Sequence, residues 1–119
     1  MRLFVAVNLS PEVRERLAAE QDRLRQAQAD VSWVRAENIH VTLKFLRETE
    51  EKRLDRIRPA LLEVARGSAP FRIQVSGLGS FGGRVPRVVW VGVQEGVEPL
   101  SRLAKDVEAA MARLGFPRE

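Results

Sequence analysis

Val97, Leu100, Leu103, Ala104, Val107, Met111 and Leu114 form the clearest periodic stripe in the chain. Apolar residues three and four apart line one side of an α-helix, and Gly115 follows where such a helix is closed. A helix with one apolar side must lay it against another layer. The sequence supplies strands for that layer. Residues 3–7 are apolar and rich in valine, residues 71–75 alternate strictly, and residues 87–93 are of buried-strand type with Trp90 in their middle.

Two further helices fall between these segments. Ser10 caps the first, with Pro11 at its first position and Glu12 in its first turn. Val13, Leu17 and Leu24 share one face, and the helix runs to about residue 28. Residues 31–35 form a short extended piece, residues 37–38 a turn, and residues 39–46 a strand. Thr49 is expected to cap the second helix, with Glu50 and Glu51 in its acidic first turn. Leu54, Ile57, Leu61 and Ala65 make its stripe, and Gly67 ends it. Pro59 lies inside and should kink the helix or delay its regular part. Gly77, Gly79, Gly82 and Gly83 suggest a loop with bulges before the strand at 87–93. The expected order is β-α-β-β-α-β-β-α, an α+β plan with antiparallel sheets covered by helices and no internal domain boundary.

At 119 residues the chain is one domain, or part of a slightly larger one. It has no cysteine and one histidine, which excludes disulfides and argues against cysteine- or histidine-rich metal centres. No apolar run approaches the ~20 residues that cross a bilayer, and the apolar start is too short for a signal peptide. The expected location is cytoplasmic. The net charge is +4. Only Lys44, Lys52 and Lys105 are lysines, so seventeen of the twenty basic residues are Arg. Guanidinium grips phosphate bidentately, which suits a nucleotide or a nucleic-acid end. The same bias also follows from genome composition or heat adaptation of a solvated surface, and the basic residues are scattered among acidic ones rather than gathered in a tail.

The one histidine, His40, opens the run His40-Val41-Thr42-Leu43-Lys44-Phe45-Leu46. Alternation along a strand puts His40, Thr42 and Lys44 on one side and Val41, Leu43 and Phe45 on the other, toward a core. An imidazole moves protons near neutral pH, and a hydroxyl beside it steadies an anionic oxygen, so the pair suits phosphate chemistry. The plain alternatives are a half-buried strand histidine and a threonine present for its β propensity. Against them, a polar side on an otherwise covered sheet calls for a solvent-filled cleft.

Together with Trp33-Val34-Arg35, Asn38-Ile39, the run from Pro86 to Val93, the opening Arg2-Leu3-Phe4-Val5-Ala6-Val7 and the ending Leu114-Gly115-Phe116-Pro117, this strand resembles the two-histidine phosphoesterase superfamily. The resemblance is to its RNA 2′,3′-cyclic phosphodiesterase branch, formerly called 2′–5′ RNA ligases. It implies a bilobal fold in which each lobe gives one His-x-Thr strand to a central cleft. The implied chemistry is hydrolysis of 2′,3′-cyclic phosphate ends of RNA or nucleotides to 2′-phosphomonoesters, with 2′–5′ ligation as its reverse and a role in RNA processing. No metal or cofactor is implied. By the same carry-over His40 is the proton donor to the departing 3′ oxygen and Thr42 a phosphate binder. Lys44, Arg87, Phe4 and Trp33 are candidates for substrate contact, the aromatic pair by stacking on a base.

Two departures stand out. Arg47 occupies the place where the family has Gly after Phe-Leu, and the strand is expected to survive it. The second His-x-Thr motif is absent, since nothing follows Glu119. The expectation is therefore an incomplete fold, lacking its closing strands, inactive alone, and open along a sheet edge that a missing C-terminal segment or a dimer partner would cover. Two other readings stay open: a non-catalytic RNA- or nucleotide-binding module of the same fold, and a structural α+β domain in which His40 is incidental.

Overall fold

The computed structural model describes residues 1–26, 35–81 and 88–118. Its elements run β1 (Arg2–Asn8), α1 (Pro11–Gln26), β2 (His40–Glu48), α2 (Leu54–Arg66), β3 (Gln74–Phe81), β4 (Val88–Glu95) and α3 (Val97–Arg113), with 3₁₀ turns at Ala36–Asn38 and Glu51–Arg53. The described residues form an α+β arrangement in which β1 pairs antiparallel with β2, and β3 with β4. Of the extended piece expected at 31–35, residues 31–34 lie outside the described residues, as do Trp33 and Arg87.

Ser10 caps α1 as expected: its Oγ accepts the Val13 N–H at 3.3 Å. Thr49 does not cap the second helix. It is buried, and its hydroxyl donates toward the carbonyls of Arg47 (3.2 Å) and Leu46 (3.4 Å). With its hydroxyl spent on the strand end, Thr49 closes the sheet, and Glu50 takes the N-cap position with no side-chain bond. The regular part of α2 starts at Leu54, after the 3₁₀ turn, with Pro59 inside it. Pro59 has no N–H to give the carbonyl of Asp55.

The glycine-rich stretch after residue 75 is not a loop from its start. Strand β3 begins at Gln74, later than expected, and continues through Gly77 and Gly79 to Phe81. Glycine still brings a backbone N–H and C=O to the ladder, and Gly79 pairs with Trp90 of β4. The register slips between Ser76 and Leu78, so the expected bulge falls at Gly77.

One face of the β1–β2 sheet packs on α2 and α3. The core holds Leu46, Ile57, Val107, Ala110, Met111 and Phe116, with Leu3, Val5, Leu43, Leu61 and Val64 against it. Helix α3 supplies three of these buried residues, whereas Val97 at its start is 47% exposed.

Gly96 links β4 to α3 at φ 83°, in the left-handed region. A Cβ there would collide with the Arg72 carbonyl oxygen. Gly96→Ala is therefore expected to cost about 2 kcal/mol, the sum of a left-handed alanine and a backbone displacement. Urea unfolding measures it, and an unchanged midpoint would contradict the close approach.

Arg47 sits at φ 65°. The strand survives by taking the left-handed conformation that a glycine adopts freely. Arg47→Gly should stabilise the fold by about 0.5–1 kcal/mol, the relieved strain less the backbone entropy of glycine. Thermal unfolding would show this as a raised midpoint, and a lowered one would mean that the arginine side chain makes up for its backbone.

Candidate active site

The register of β1 against β2 decides which side chains stand together. Asn8 lies opposite His40, Val7 opposite Val41, Ala6 opposite Thr42, Val5 opposite Lys44, Phe4 opposite Phe45 and Leu3 opposite Arg47. Directly opposed residues share a sheet face. Two residues of β2, Leu43 and Leu46, therefore have no opposite number and mark two irregularities in the ladder.

The first irregularity reverses the alternation between Thr42 and Lys44. Residues before it keep the expected side: His40 and Thr42 share the face away from the helices, with Ala6 and Asn8 across from them. Residues after it change sides. Lys44, expected beside His40, points instead to the helical layer and is 1% exposed. Its Nζ donates to Glu108 Oε1 of α3 at 2.7 Å and to the Pro117 carbonyl at 2.8 Å. Phe45, expected in the core, is 58% exposed on the His40 face. The bulge is the physical cause of both corrections: Leu43 and Lys44 are consecutive, yet both face the helices.

On the open face Phe4 has two aromatic partners. Its ring stacks on the His40 imidazole with centroids 4.8 Å apart and planes 16° from parallel. Phe45 stands on it at 6.3 Å, tilted by 50°. The His40 ring is half-buried, and no hydrogen bond or ion pair holds it among the described residues. Phe4, a candidate for base stacking, stacks here on the histidine, and it remains 49% exposed.

A second polar feature lies at the other end of β2. Lys52, Arg53, Arg56 and Arg113 line a cavity of about 410 Å³ with Ile57 and Leu114. Arg53 donates to the Leu114 carbonyl and lies 3.9 Å over the Phe116 ring, so it caps the end of α3. Arg53 and Arg56 are three apart on one helical side, a spacing legible in the sequence, but Arg113 joins them only through the packing of α3 on α2. Strand β2 separates this cavity from His40 by roughly 26 Å at strand rise.

A model of the LigT like Phosphoesterase family matches residues 7–90. A curated RNA 2′,3′-cyclic phosphodiesterase of Archaeoglobus fulgidus is 42% identical over 120 residues, covering 100% of this chain and 66% of its own length. Among solved structures, TT0787 of Thermus thermophilus superposes with a TM-score of 0.83 at 35% identity, over 96% of this chain and 61% of that one. E. coli LigT complexed with 3′-AMP gives 0.76 at 29% identity, over 98% of this chain and 66% of that one. The chain thus spans less than two thirds of the length of these relatives. Among the described residues no helix is long and apolar enough to cross a membrane.

Proposed function

Because the chain belongs to the LigT-like phosphoesterase family, with RNA 2′,3′-cyclic phosphodiesterases among its relatives, we propose that it is the first part of an enzyme opening 2′,3′-cyclic phosphate ends of RNA or nucleotides. His40 and Thr42 are the proposed catalytic pair. Water attacks phosphorus, the bond from phosphorus to the 3′ oxygen breaks, and protonated His40 gives its proton to that oxygen. The product is a 2′-phosphomonoester. Thr42 donates a hydrogen bond to a phosphate oxygen as negative charge builds there. The observation that carries this reading is the shared face: a proton-transfer group and a hydroxyl two residues apart, on the side of the sheet away from its helices.

A base must take the proton of the attacking water. Two imidazoles can divide the work near neutral pH, one protonated and one neutral. This chain has one histidine, so the second comes from outside it: a longer form of the protein, or another copy. Substrate contact by Trp33 and Arg87 belongs to the same proposal. Lys44, held by Glu108 and Pro117, has no part in it. A cytoplasmic site of action and a role in RNA processing are proposed with it.

A second reading, RNA or nucleotide binding without turnover, draws on the single histidine and on the cationic cavity beside α2. Adding adenosine 2′,3′-cyclic phosphate to a form of the protein that supplies the second histidine, and following the phosphorus resonance, separates the two. The 2′-monophosphate as product supports hydrolysis. A shifted His40 resonance without product supports binding alone. A silent His40 and no product would remove both.

A further inference from the structure

We infer that Phe4 is a positioning residue for His40, fixing the plane of the imidazole so that its nitrogen-bearing edge faces the open side of the sheet. The inference rests on the reading of His40 as the proton donor, and it assigns Phe4 a role other than stacking on a base.

A proton donor has to be oriented as well as protonated. Catalytic imidazoles are usually held by a hydrogen bond from the second ring nitrogen. Among the described residues no such bond reaches His40. What meets the ring is the face of Phe4, 4.8 Å away and 16° from parallel. A face-to-face contact restricts rotation about the last side-chain bond, since turning the imidazole would drive its edge into the phenyl ring. It uses the π surface and leaves both nitrogens free for proton transfer.

The backbone sets this contact. Phe4 is not the residue opposite His40, which is Asn8; it stands four residues back along β1, opposite Phe45. The slip between Val5 and Ala6 shortens β1 relative to β2. Phe45 also meets Phe4, at 6.3 Å. The row His40–Phe4–Phe45 is therefore a built arrangement that needs the bulge, because without it Phe45 would turn to the core. Phe4 and Phe45 are both about half exposed or more, so their burial does not account for the row.

The test uses the single histidine, whose imidazole gives one set of ring resonances to assign. In the unaltered chain they should lie upfield, under the Phe4 ring current, with cross-relaxation between the two rings. Phe4→Leu should abolish both effects, and Phe4→Trp should restore them. In hydrolysis of adenosine 2′,3′-cyclic phosphate by a form of the protein that supplies the second histidine, Phe4→Leu should lower kcat by roughly tenfold to a hundredfold with little change in KM, and Phe4→Trp should recover most of it. Resonances unmoved by Phe4→Leu would overturn the inference. So would a loss confined to KM, which would make Phe4 a contact for the base. If the form that supplies the second histidine has no turnover, the activity proposal falls, and the resonances alone decide whether Phe4 orients the ring.

Discussion

In a form of the protein that supplies the second histidine, His40→Ala should lower the rate of cyclic phosphate hydrolysis about 10²–10⁴-fold, the usual range for one general acid. The fall should appear in kcat, because the alkoxide that leaves is a poor group without a proton and the proton is needed only as the bond breaks. The fold should be little affected: the half-buried ring makes one stacking contact, worth about 0.5–1.5 kcal/mol. Steady-state kinetics beside urea unfolding of the same variant checks both parts. An activity within tenfold of the same form without the substitution would remove His40 from the donor role. A rate loss matched by unfolding would show only that the sheet had failed.

Lys44→Ala is the counterpart on the opposite face, with stability as the expected loss. The ammonium is 1% exposed, while its partner Glu108 keeps 20% of its side-chain surface. Removing one member of a buried pair typically costs about 3–5 kcal/mol, since the remaining charge loses its neutralising neighbour. The partial exposure of Glu108 lets it turn toward water, which puts the expected cost near the lower end, about 3 kcal/mol. The Pro117 carbonyl loses a donor as well. Lys44→Met should cost less than Lys44→Ala, because it refills the volume though not the charge. A denaturation midpoint unmoved in Lys44→Ala would mean that the pair is solvated in solution.

How much of this was legible in the sequence depended on whether one residue or two strands decided the matter. The α3 stripe predicted its own helix, because a 3.6-residue period is a property of a single segment. The Ser10 cap was legible for the same reason, as was the shared face of His40 and Thr42. The sides of Lys44 and Phe45 were not, because a bulge arises from how β2 registers on β1, and no single strand encodes it. Thr49 shows the same limit. Its type suits an N-cap, but the carbonyls at the end of β2 reached its hydroxyl first. Gly77 and Gly79 look like loop residues by propensity and lie within a strand, since β4 supplied a ladder to join. Arg47 reads as a departure from the sequence alone, and the way the backbone absorbs it needed φ.

The unpaired residue at Leu43 has one more consequence. It divides β2 into two segments that read their alternation in opposite phase. His40 and Thr42 answer to the open face, and Lys44 and Leu46 to the helical layer, so each segment can change without moving the other. A regular ladder over these same residues, with none left unpaired, would put both segments in one phase. It would force either the histidine into the oil or the lysine out of it, though every side chain of the motif remained. Alignments of such strands should therefore place gaps here with care, because the spacing carries information that the letters alone do not.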